Sequence, residues 1–254
     1  MKVKNNYDAV INAQSNKLPV LLKSIIVGFL VGIVASVYRW ILAGAEELSF
    51  ATYHYLRNNL ILIPIAFLVL GAAGFFVGTL VHKYSMISGS GIPQVKGVIM
   101  GYFKNNWFST LIAKFVGGAV SILGGLSLGR EGPSIQLGAC IAQGVGDKFA
   151  TSRTEKKILI ASGAGAGLAA AFNAPLAGVL FALEEIHKNF SPLALVTVMV
   201  ASLTGDFISK NIFGMTPSLY FPLVESLPLG QYGFLIILGI IAGLLGVLYN
   251  KTTM

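Results

Sequence analysis

Three short stretches of this chain hold residues that could handle ions. The first is Gly89-Ser90-Gly91-Ile92-Pro93. Proline suits the first turn of a helix, and glycines let backbone N–H groups approach a ligand. With the Ser90 hydroxyl as a further donor, the segment reads as an anion site at a helix start. Taken alone, it reads better as a plain turn. The second is Gly129-Arg130-Glu131-Gly132-Pro133-Ser134, again glycine and proline at a helix start, now with two charges in an apolar region. An ionisable side chain at the bilayer centre costs about 2.5–3.5 kcal/mol on insertion scales, which makes Glu131 and Arg130 functional candidates. A carboxylate beside helix N-termini can take an anion's place. Burial raises its proton affinity and the positive helix end lowers it, so it could bind and release a proton. The bland alternative is an Arg–Glu pair in a turn outside the membrane. The third is Phe172-Asn173-Ala174-Pro175-Leu176-Ala177-Gly178, running on to Glu184-Glu185. The small residues of 163–171 before it admit close helix approach. On its own, the glutamate doublet reads as a solvated helix end.

These segments need elements to hold them, and the composition says which. Hydrophobic residues make up 55% of the 254, and charged residues only 11%. Soluble domains carry about 25% charged residues, so a soluble domain of this size could not cover its surface. With a mean hydropathy of +0.76, the chain reads as an integral membrane protein. Collagen, disorder, coiled coil and a disulfide scaffold are excluded, the last because Cys140 is the single cysteine. The net charge of +8 could suggest nucleic acid in a soluble protein. Here it is read as cytoplasmic-loop positives, with no nucleic-acid partner.

The apolar run 24–45 is long enough to span a bilayer, and a second span is expected at 60–81. Lys2, Lys4, Lys17 and Lys23 flank the first, and His82 and Lys83 follow the second. A polar connector with Glu46, Glu47 and Arg57 is expected between them. The positive-inside rule then puts the N-terminus in the cytoplasm. The first apolar run is too long for a signal peptide. Beyond it the pattern breaks into short pieces: one ending near Lys104, then 107–128, a piece to Phe149, a basic connector at 147–157, 158–172, 176–183 and 192–208. A proline-rich connector at 215–228 leads to a last apolar helix at 229–249. Short hydrophobic pieces interrupted by Gly and Pro are the mark of transporters with broken helices. Irregular backbone at membrane depth is tolerated only where protein buries it or it lines a cavity. There is also an internal echo, IIVGFLVG at 25–32 and IILGIIAG at 236–243, with Tyr38 and Tyr249 at the same offset.

Taken together, GSGIP at 89–93, GREGP at 129–133 and GAGAGLAAAFNAPLAGVLFALEE at 163–185 resemble the CLC family of chloride channels and chloride/proton antiporters. The likeness runs in order from about residue 20 to the end. It implies an all-α membrane fold of two inverted repeats with broken and re-entrant helices, and a homodimer with one pore per subunit. Residues 1–22 would be a cytoplasmic segment, 23–228 the first repeat and 229–254 the opening helix of a second, whose remainder is absent. The resemblance makes chloride and protons the substrates, the lipid bilayer the surroundings and the cell membrane the location, with no further cofactor. Ser90 becomes the hydroxyl on the central chloride, with the amides around Gly89 and Gly91 beside it. Glu131 becomes the gate, with the backbone of Arg130 and Gly132 forming the outer anion site. Glu185 matches the inner proton-transfer glutamate of exchangers, with Glu184 assisting. Lys114 matches a buried basic residue that adds positive potential.

The departure is equally specific. The family's GxFxP motif does not occur, and Tyr220, Tyr232 and Tyr249 stand in the wrong context for its pore tyrosine. The expectation is chloride/proton antiport by a longer protein. The alternatives are an uncoupled, voltage-gated-type chloride channel, or a fragment inactive for want of half the pore. A hydrolase built on Ser134 or Ser90 is disfavoured, because His54, His82 and His187 all fall near predicted membrane boundaries. No metal-ligand spacing is present, and no enzyme activity is expected.

Overall fold

The computed structural model describes residues 17–188, 190–215 and 228–253. The polar start with Lys2 and Lys4, and residues 216–227 of the expected connector with Tyr220, lie outside the described residues. The chain divides into two units, Met1–Ser218 and Leu219–Met254.

In the first unit, helix α1 is Lys17–Asn58 and α2 is Ile63–Lys83, joined by a single 3-10 turn, Leu60–Leu62. A second 3-10 turn, Ser85–Ile87, leads to α3 (Ile92–Met100). Then come α4 (Trp107–Leu123), α5 (Glu131–Phe149), α6 (Arg153–Phe172) and α7 (Pro175–Phe181). A π-helical turn, Ala182–His187, follows α7, and α8 is Pro192–Phe213. In the second unit a 3-10 turn, Leu229–Gln231, precedes α9 (Gly233–Thr253). Among the described residues there is no strand. Four segments, Leu18–Asn58, Leu60–Lys83, Pro192–Phe213 and Leu229–Thr253, are long and apolar enough to cross a membrane.

The expected connector at Glu46, Glu47 and Arg57 is instead the last third of α1. At 1.5 Å per residue, its 42 residues reach about 63 Å, twice the hydrocarbon core. Hydropathy marks where the chain leaves lipid, not where the helix ends. Ala, Glu and Leu are good helix formers, and they carry α1 onward. The basic connector at 147–157 is likewise shorter than expected. Only Ala150, Thr151 and Ser152 lie between α5 and α6, with Ser152 Oγ accepting from the Glu155 N–H at 3.1 Å. α8 also runs past the expected end at 208, to Phe213.

The core is built on α5 and α6. Val27 and Val31 of α1, Ile141, Ala142 and Val145 of α5, Leu159 and Ala166 of α6, and Ala201 of α8 pack as one cluster. Small residues set the spacing. A Cβ on Gly138 would meet the Gly163 carbonyl oxygen, and one on Gly163 would meet that of Gly138. The two backbones are therefore in contact, which is the packing that the 163–171 run permits. α6 ends at Asn173 in left-handed backbone, φ 55°, and Pro175 opens α7. This rigid centre holds the starts of α3 and α5 in place.

Candidate functional site

The starts of α3 and α5 meet around one cavity of about 440 Å³. It is lined by Gly89 and Ser90 on one loop, by Gly129, Glu131, Gly132 and Pro133 on the other, and by Lys114 of α4. Val77 and Val81 of α2 supply part of its apolar wall.

Local sequence builds each side. Gly91 caps α3 with φ 93°, a left-handed conformation natural to glycine, and Pro93 falls in the first turn. The Ser90 Oγ accepts a long hydrogen bond from the Ile92 N–H, 3.4 Å, so its own proton stays available for an acceptor in the cavity. On the other side Arg130 caps α5, and its carbonyl accepts from the Ser134 N–H at 3.1 Å and the Ser134 hydroxyl at 2.7 Å. The loops touch at Gly132, where a Cβ would strike the Ser90 carbonyl oxygen. Glycine at 132 is thus what lets the two helix starts converge. The Glu131 carboxylate folds back over Gly129, and among the described residues no cation pairs with it.

Lys114 is 6% exposed, and its ammonium donates to two carbonyls of the first loop, Ile87 at 2.9 Å and Gly89 at 2.6 Å. Two glutamines reach the same loop. Gln136 Nε2 of α5 donates to the Met86 carbonyl and Gln94 Nε2 of α3 to the Ser88 carbonyl, both at 2.7 Å. Sequence reasoning found Lys114 as a charge in an apolar run. It missed Gln94 and Gln136, because an amide in a helix carries no spacing signal of its own.

Of the residues singled out in the sequence, Gly89, Ser90, Lys114, Glu131 and Gly132 line the cavity together. Gly91 and Arg130 adjoin it in the chain but are not in its lining. Glu184 and Glu185 lie elsewhere, on the π turn after α7. Glu185 Oε1 stands 2.6 Å from Lys96 Nζ of α3. The hydrogen bond from Lys96, and then its charge, hold this exposed carboxyl below the usual range. The sequence also passed over Arg39, whose guanidinium lies over the Phe213 ring at 4.4 Å, with Nη1 buried and without a hydrogen-bond partner among the described residues. Among the described residues no three His, Cys, Asp or Glu side chains gather as a metal site.

Two convergent helix starts, the Ser90 hydroxyl and the Glu131 carboxylate thus share one cavity, an arrangement whose partial positive charge suits a small anion. The chain belongs to the voltage gated chloride channel family, whose description matches residues 73–254. It is therefore an integral membrane protein with the all-α CLC fold. It is 31% identical over 239 residues to the H(+)/Cl(-) exchange transporter ClcA of Vibrio cholerae, a match covering 91% of this chain and 50% of that protein. Among solved structures it is similar to a slow cyanobacterial Cl-/H+ antiporter, with TM-score 0.82 and 32% identity, over 92% of this chain and 56% of that one. It is also similar to a CLC-type fluoride/proton antiporter, with TM-score 0.69 and 30% identity, over 89% and 55%. The chain spans about half the length of the curated relatives it matches.

Proposed function

We propose that the protein containing this chain exchanges chloride for protons across the membrane. The observation that carries this is the shared cavity: the Ser90 loop and the Glu131 carboxylate face one space between two helix N-termini. Partial positive charge from those termini replaces part of chloride's hydration without a full cation, so binding stays weak enough for release. Glu131 is the gate. Ionised, it competes with chloride for the outer position beside Arg130 and Gly132; protonated, it yields that position. The central chloride sits on Ser90 and the amides around Gly89 and Gly91.

Protons reach Glu131 from the cytoplasmic side through Glu185, with Glu184 assisting. The working unit is a homodimer in the cell membrane, its N-terminus cytoplasmic, with no cofactor beyond the transported ions. The exchanger names of the relatives support this reading over an uncoupled channel, as does a glutamate at 185. The test is ion flux from liposomes holding the whole protein. Under a pH gradient an exchanger's reversal potential moves, while a channel's stays put. Glu131→Gln and Glu185→Gln should abolish chloride-driven proton movement, with Glu185→Gln still passing chloride. Intact coupling in both variants overturns the proposal.

A further inference from the structure

Four consecutive carbonyls run up to Ser90, and each is held by a side chain from a helix. Met86 O accepts from Gln136, Ile87 O from Lys114, Ser88 O from Gln94 and Gly89 O from Lys114 again, all within 2.6–2.9 Å. The three donors come from α5, α4 and α3. In both glutamines the amide oxygen is buried with no partner among the described residues. Each side chain thus satisfies its donor end at the loop and leaves its acceptor end unmet.

A carbonyl oxygen is the negative end of a peptide dipole, so a free one turned toward the cavity would repel an anion. In a planar trans peptide, fixing a C=O also fixes the next N–H in the opposite direction. No peptide bond among the described residues is cis. Holding carbonyls 86–89 therefore sets the directions of the amides of residues 87–90, those of Gly89 and Ser90 included.

We propose that Gln94, Lys114 and Gln136 form a carbonyl clamp: three positioning residues that hold the 86–89 carbonyls on side-chain donors so that the Ser90 loop presents a fixed, low-repulsion face to chloride. This rests on reading the cavity as the chloride site. Lys114 acts in it through two hydrogen bonds, not only through its charge.

The clamp is tested by calorimetric chloride binding and by liposome flux on the whole protein. Gln94→Leu, Gln136→Leu and Lys114→Met each remove donors, and Lys114→Arg keeps them. The loss of one loop hydrogen bond should raise the chloride Kd about tenfold in each glutamine variant, with maximal flux within about twofold. Lys114→Arg should bind more tightly than Lys114→Met. Gln94 is only half-buried, so its variant carries the test if Gln136→Leu fails to fold. A folded glutamine variant with wild-type Kd overturns the clamp, as does weakening confined to Lys114→Met, which would assign the effect to charge. Wild-type protein that binds no chloride overturns the site reading instead.

Discussion

Lys96 and Glu185 are joined by a 2.6 Å ion pair that links α3, the helix opened by the Ser90 loop, to the turn bearing the proposed proton glutamate. The pair stabilises the ionised carboxylate, so Glu185 takes up a proton at lower pH than an ordinary glutamate. Removing the cation reverses the sign. In Lys96→Met the Glu185 proton affinity rises, and the acid limb of the proton-coupled flux profile should move to higher pH. Flux measured across a pH series checks this. An unmoved profile would detach Glu185 from the proton route or Lys96 from Glu185.

Glu155 is a second carboxylate with a defined pH consequence, outside the four described segments long and apolar enough to cross a membrane. Burial pushes its proton affinity up, but hydrogen bonds from Lys23, at 2.6 Å, and from Thr151 outweigh this and hold the carboxyl below its ordinary range. The stability it contributes is therefore present above the unfolded value of about 4.3 and is lost as pH falls through the lowered folded value. Glu155→Ala strands Lys23 and should cost about 3 kcal/mol, the low end for a broken buried pair, because Lys23 keeps some solvent access. Unfolding in detergent at pH 7 measures the loss, and the difference from wild type should shrink in acid.

Gly132 separates packing from charge. Alanine there drives a methyl into the Ser90 carbonyl and spreads the two loops. Chloride affinity should fall about tenfold, close to 1.4 kcal/mol. The protein should still elute as a single species on size exclusion, since the change lies in the cavity wall.

Gly163 tests the core. A valine at this position meets the Gly138 backbone and the Ala142 side chain, which no rotamer avoids because the clash begins at Cβ. Overpacking typically costs about 1–3 kcal/mol, and backbone-to-backbone contact leaves little room to relax. Gly163→Val should lower folded yield and thermal stability sharply, while the same substitution at Gly74, where an added Cβ meets nothing within 4 Å, should not.

The breaks in this fold were legible because Gly and Pro act locally. Gly91 and Pro93 open α3, and Pro175 opens α7, where the sequence placed them. Element ends set by ordinary helix formers were not legible, as α1 shows in running through Glu46 and Glu47. The two cavity loops could be nominated singly, but their meeting at Gly132 depends on how α3 and α5 are placed against each other. Partners distant in sequence left no trace at all: Gln136 and Met86 lie 50 residues apart, and Lys96 and Glu185 lie 89 apart.

The π turn at 182–187 gives the glutamate doublet an angular meaning. Its closing bond runs from the Lys188 N–H to the Leu183 carbonyl, one residue wider than an α turn. Successive helical residues are about 100° apart, so this extra residue works as a vernier on the doublet. Removing one residue ahead of the doublet would turn Glu185 by that step into the bearing Glu184 now holds, away from Lys96. Which of two adjacent carboxylates meets α3 is thus decided by winding, not by composition.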